Sequence, residues 1–196
     1  YTAQELSEMN YFGETTGYFG EGEVIAVLDS EFDITHDMFA PIDDKENKLT
    51  KDDIAAATAD LNVSIDPEQA YISSKLPYVI DYTDDTPYEY SDPENYHGTH
   101  VAGIAAGDMI SDDEGAELSG IARDAQLVMM KVFKQMTIDE LGITISTAES
   151  DAILAALEDA AKLKADVINL SLGSPDPDLE KIPYKNTITA LNNAGI

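Results

Sequence analysis

The chain has 196 residues, with 11 Lys and Arg against 39 Asp and Glu, a formal charge of −28 at pH 7. So acidic a surface repels phosphate backbones and anionic headgroups, which excludes nucleic-acid binding and argues against a charged membrane surface. No apolar run approaches the ~18 residues of a membrane span. The chain does not open with the basic region and apolar stretch of a signal peptide. With no cysteine, disulfides and thiolate metal sites are ruled out, and 43% apolar residues suffice for one core in one domain or in part of a larger one.

Tyr1 to Gly22 reads as a short helix and then a glycine-rich approach to a strand. Val24-Ile25-Ala26-Val27-Leu28, bounded by Gly22 and Asp29-Ser30, has the length and β-branching of a strand buried on both faces. Residues 40–76 look like an excursion, with an alanine-rich helix over Lys51–Asp60. Tyr78 to Tyr82 is a second strand, and Thr83–Tyr96 an acidic, proline-bearing loop. Asp108–Glu117 is a second acidic loop. Clustered carboxylates in such loops suit either a solvated surface or calcium, although EF-hand spacing is absent. Gln126–Phe133 is a third strand.

Ser146–Lys164 reads as a helix, with the spacing of a capping box at Ser146 and Glu149 and with small apolar residues along one face. Asp166–Gly173 is a fourth strand, and Tyr184–Ala194 a last helix. Strands alternating with helices predict an α/β fold with a parallel sheet covered on both faces.

Three segments carry polar groups at strand ends or helix starts, where function gathers in α/β sheets. Asp29 follows directly on an apolar strand, where an acid can either hold an imidazole or cap a turn. His97-Gly98-Thr99-His100-Val101-Ala102-Gly103-Ile104 places a histidine at the start of a thin helix of small residues, suited to a general base at a cleft. The two histidines are three apart with no Glu between them, so the zinc helix motif is absent. Asn169-Leu170-Ser171-Leu172-Gly173-Ser174 can offer backbone groups to an extended peptide, or simply turn.

Together, in this order, these segments resemble the subtilisin-like serine peptidases (subtilases) over about residues 20–196. HGTHVAGI matches the histidine motif nearly letter for letter, VIAVLDS the aspartate motif and VINLSLG the substrate-binding strand. Phe32 to Phe39 looks more like the Gram-positive cell-envelope proteinases of the lactocepin type than like the small secreted enzymes. The resemblance implies a three-layer subtilisin-like fold, present here as its N-terminal part, with residues 40–76 as an insertion. It implies Asp29 and His97 as catalytic, with Asp29 orienting His97, and His97 as general base and then acid. His100 would be structural. Ser171, Leu172 and Gly173 would bind a polypeptide substrate main chain to main chain. The chemistry needs no cofactor, and structural calcium stays open. One calcium carboxylate of small subtilases aligns near Met38, with Asp37 one position off, and is not carried over. A secreted or wall-associated bacterial endopeptidase is implied.

Two departures stand out. Glu31 occupies a position where the family usually has glycine, as a tolerated change near the turn or as a perturbation of the Asp29–His97 pair. None of the serines has the G-T-S-x-A-x-P setting of the nucleophile, and the oxyanion asparagine is expected beyond Ile196. The chain is therefore expected to be inactive alone, and to self-associate or be partly unfolded because core is left exposed. The alternative is a pseudo-protease or peptide-binding module that keeps the scaffold without the nucleophile.

Overall fold

A computed structural model describes residues 9–43, 47–91, 95–111, 115, 117–139, 141–173 and 182–196. Helix α1 (Met9–Thr16) leads through Gly17, Gly20 and Gly22, all at positive φ, into β1 (Val24–Asp29). α2 (Lys51–Ala57) begins at a capping box between Thr50 and Asp53 and is followed by a 3₁₀ turn to Asp60 and a short α3 (Pro67–Ala70). Then come β2 (Tyr78–Asp81), β3 (Thr86–Pro87), α4 (His97–Ala106), β4 (Ile110–Ser111) and β5 (Glu117–Leu118). The chain continues through β6 (Gln126–Lys131), β7 (Phe133–Ile138), β8 (Ile143–Ala148), α5 (Ser150–Lys162), β9 (Val167–Asn169) and α6 (Ile182–Ala194).

The main sheet runs β3-β2-β6-β1-β9. β2, β6, β1 and β9 are mutually parallel, and β3 is a short antiparallel edge. Parallel neighbours need crossovers, and α4 lies in the β2–β6 connection and α5 in the β6–β9 connection. Alternation divides the apolar strand residues between two faces. Ala26, Leu28, Ile80, Val128 and Met130 pack with Ala152, Ile153, Ala156 and Leu157 of α5. Val27, Val79, Leu127 and Met129 pack with Ala102 and Ala106 of α4 and with Phe32 and Phe39. The result is the expected three-layer α/β arrangement.

Leu49, Ile54, Leu61, Val63 and Ala70, from the 40–76 segment, join the α5-side core. Their anchor is Asp159 of α5, fully buried, which accepts from the Asn62 and Val63 amides and the Tyr82 hydroxyl and pairs with Lys162.

Three expectations need correction. The helix starts at Ser150 rather than Ser146, with Glu149 at its N-cap, so the Ser146–Glu149 capping box does not form. Ser146 belongs to β8, whose residues Ile143 to Ala148 pair antiparallel with β7. The strand read as Gln126–Phe133 breaks at Val132, and Phe133 opens this hairpin. The β-branched residues Ile143, Thr144, Ile145 and Thr147, with a partner strand at hand, override the local cap signal. The strand read as Asp166–Gly173 is paired only over Val167–Asn169, so Ser171, Leu172 and Gly173 lie beyond the ladder. The two acidic loops contain β3 and the β4–β5 pair, and residues 92–94, 112–114 and 116 lie outside the described residues.

Among the described residues no helix is long and apolar enough to cross a membrane, and no three His, Asp or Glu side chains gather as a metal cluster.

Candidate active site

Asp29 is the last residue of β1 and is 1% exposed. Its Oδ1 accepts the Ser30 amide at 2.7 Å and lies 2.7 Å from His97 Nδ1. Its Oδ2 is buried and, among the described residues, without a hydrogen-bond partner. His97 is the first residue of α4, and its side chain is 59% exposed. A carboxylate acceptor at Nδ1 assigns the neutral ring's proton to that nitrogen and leaves Nε2 as the free base. Asp29 lies beside the N-terminal end of α4, whose partial positive charge favours an anion.

The start of α4 is seated on the turn that follows Asp29. A Cβ on Gly98 would stand 2.7 Å from the Glu31 carbonyl oxygen and 3.0 Å from the Phe32 ring, so only glycine lets the helix approach. The Asp33 amide donates to Thr99 Oγ1 at 2.7 Å and closes the other side of the turn.

Glu31 is itself buried. Its Oε2 accepts from Tyr88 Oη at 2.9 Å, and its Oε1 lies 3.1 Å from Lys131 Nζ, which also donates to Asp81 Oδ2 at 2.6 Å. Burial pulls the Lys131 ammonium down, but the Asp81 hydrogen bond and the charges of Asp81 and Glu31 outweigh it and hold Lys131 above the usual lysine range. Burial pushes the Tyr88 hydroxyl well above its ordinary value, and the Glu31 charge adds to that.

The pair opens on a cleft of about 730 Å³ lined by Asp29, Ser30, Asn95, Tyr96, His97, Phe133, Gln135, Thr144, Ser146 and Ser171. One wall is the β7–β8 hairpin, and Ser171, just after β9, also lines the cleft. Leu172 packs against the core, while nothing crowds Gly173. Ser30 and Ser171 are each hydrogen-bonded to an asparagine, Asn95 and Asn169, rather than to His97. His100 lines a separate, mostly apolar cavity of about 480 Å³ with Asp33, His36, Met38 and Ile104.

The sequence reading thus named Asp29, His97 and Ser171 on this cleft. It did not foresee Asn95 or the hairpin. Nor did it name Lys131, Asp81 and Tyr88 as the partners of Glu31. A lysine closing an apolar strand in so acidic a chain was the available signal for Lys131.

Residues 20–195 match the Subtilase family. A PI-type proteinase of Lactococcus lactis subsp. cremoris is 37% identical over 177 residues, covering 86% of this chain. A C5a peptidase of Streptococcus pyogenes serotype M3 is 32% identical over 158 residues, covering 79% of this chain. The chain spans 9% of the length of the former and 12% of the latter. In structure, the CspB protease of Clostridium perfringens superposes with a TM-score of 0.52 at 18% identity, covering 93% of this chain and 36% of that one, which shows a shared fold. With residues 20–195 of the chain matching the family and the sheet covered by helices on both faces, this chain belongs to the subtilase family.

Proposed function

We propose that the protein containing this chain is a serine endopeptidase of the subtilisin type, and that Asp29 and His97 are two members of its triad. The observation that carries the reading is the 2.7 Å contact between the buried Asp29 carboxylate and a ring whose other edge opens on the cleft.

His97 Nε2 takes the proton of a serine hydroxyl as that oxygen attacks the scissile carbonyl. It then returns the proton to the leaving amine, freeing an acyl-enzyme that water hydrolyses. Asp29 keeps the ring in the required tautomer and stabilises the imidazolium. Ser171, Leu172 and Gly173, free of strand pairing, receive the substrate's main chain in an extended form. The nucleophile and an oxyanion donor come from outside these residues, because no serine here has the required setting, so the chain alone is inactive. The reaction draws on acid, base and nucleophile without a cofactor. The proteinase of Lactococcus lactis and the C5a peptidase of Streptococcus pyogenes among the relatives support a secreted or wall-associated setting in a Gram-positive bacterium.

The test is labelling with a peptidyl fluorophosphonate. The longer protein carrying a downstream G-T-S-type segment is labelled at that serine, and His97→Ala abolishes labelling. Removing one triad member lowers kcat by about 10⁴ to 10⁶. Labelling of one of the present serines in the 196-residue chain, or full activity of His97→Ala, overturns the assignment.

A further inference from the structure

We propose that Glu31 is a positioning residue for the Asp29–His97 pair, acting through the turn on which the first turn of α4 rests. The inference rests on the reading of that pair as catalytic and adds a residue to it.

Glu31 is 4% exposed, two residues past Asp29, although a glutamate in a turn ordinarily faces solvent. A buried carboxylate persists only if it is paired and hydrogen-bonded. Glu31 is both, and each partner belongs to a different part of the frame. Lys131 ends β6 and is the register partner of Asp29 on one side and of Asp81 on the other, so its ammonium sits at the carboxyl edge of three adjacent strands. Tyr88 lies just past β3. Its hydroxyl is within 2.8 Å of the Phe32 carbonyl and 2.9 Å of Glu31 Oε2, and accepts the Phe32 amide at 2.7 Å. Glu31 and Phe32 are thereby clamped from both sides, by side chain and by backbone.

This clamped turn is what α4 leans on. The Glu31 carbonyl and the Phe32 ring are the atoms that forbid a Cβ at Gly98, the residue after His97. A shift of the turn by a few tenths of an ångström moves the helix start by as much. The His97–Asp29 contact is a single hydrogen bond to an exposed ring, so such a shift is not absorbed elsewhere. Glu31 touches neither a substrate nor the ring. It acts by holding the seat.

The readout is the tautomer of His97 in the 196-residue chain, from long-range ¹H–¹⁵N spectra at a pH where the ring is neutral, with the exchange rate of the Nδ1 proton. Neither needs peptidase activity. The wild type shows the Nδ1–H form. Glu31→Gly and Tyr88→Phe raise the exchange rate tenfold or more and admit the Nε2–H form. Glu31→Gln, which keeps the shape and the Tyr88 bond, has a smaller effect. Asp29→Ala is the control. If it leaves the tautomer unchanged, the pair itself fails. If it shifts the tautomer while Glu31→Gly and Tyr88→Phe leave ring and exchange as in the wild type, the positioning role alone is overturned. If far-UV circular dichroism shows Glu31→Gly unfolded, Glu31→Gln and Tyr88→Phe decide, and wild-type behaviour in both refutes the proposal.

Discussion

Lys75 offers a test in which burial, hydrogen bonding and pH are separable. Its side chain is fully buried, and Nζ donates to the carbonyls of Arg123 and Ala125, each at 2.6 Å. Burial lowers its pKa from 10.5 to about 8, against the raising influence of Asp108 and Asp124. A folded value below the unfolded one means that, between the two, the unfolded chain binds more protons. Stability from this group therefore rises as pH goes from about 8 through 10.5, and is lost as pH falls back through 8. A difference of about 2.5 units at 1.36 kcal/mol each makes the full effect about 3 kcal/mol.

The perturbation is Lys75→Met, which fills the same space without a charge. The assay is urea unfolding from pH 7.5 to 9.5, followed by far-UV circular dichroism or by tyrosine fluorescence, since the chain has no tryptophan. Burial also raises Tyr78, Tyr82 and Tyr88, whose unfolded forms ionise near pH 10, so they lower stability above that pH in both proteins and cancel in the difference. The wild type gains stability relative to Lys75→Met across the window, with a slope approaching about 1 kcal/mol per pH unit. Parallel pH dependences would refute the reasoning.

Two further substitutions probe other long-range ties. Asp159→Ala strips the acceptor from the Asn62 and Val63 amides and the Tyr82 hydroxyl, and is expected to cost about 3–5 kcal/mol. That appears as a fall in melting temperature of roughly 10 °C, and wild-type melting would show that the 40–76 segment is not anchored there. Gly98→Ala drives a methyl group to 2.7 Å from the Glu31 carbonyl, so the start of α4 must move. Denaturation should show a loss of about 1–3 kcal/mol, together with loss of the fixed His97 tautomer. An alanine variant with unchanged stability and tautomer would mean the helix is not seated on that turn.

Much of the frame is local information. Val24–Leu28 declares a two-face strand by its unbroken apolar run, rich in β-branched residues, and the alanines of α5 and α4 declare helices thin enough to lie on a sheet. Asp29 and His97 could be singled out because their motifs are contiguous in the chain. The hairpin was misread because a short-range cap signal at Ser146 and Glu149 competes with a pairing that exists only once Phe133–Ile138 stands alongside. Leu170 to Gly173 reads like the strand before it, yet the ladder with β1 stops at Asn169, which no propensity announces.

What the sequence by itself determined, then, is the alternation of elements, the apolar faces and the identity of the residues at the carboxyl edge of the sheet. These follow from periodicity and from contiguous motifs, whose physics acts over a few residues. Distances were decided by the tertiary structure alone. Asp29 and His97 are 68 residues apart in sequence and 2.7 Å apart in space. Glu31 finds Tyr88 across 57 residues, Lys131 finds Asp81 across 50, and Asp159 finds Asn62 across 97. A buried charge must find its partner wherever packing brings one, and that partner is set by which strands become neighbours, so the role of Glu31 became legible only when β1, β6 and β2 lay side by side.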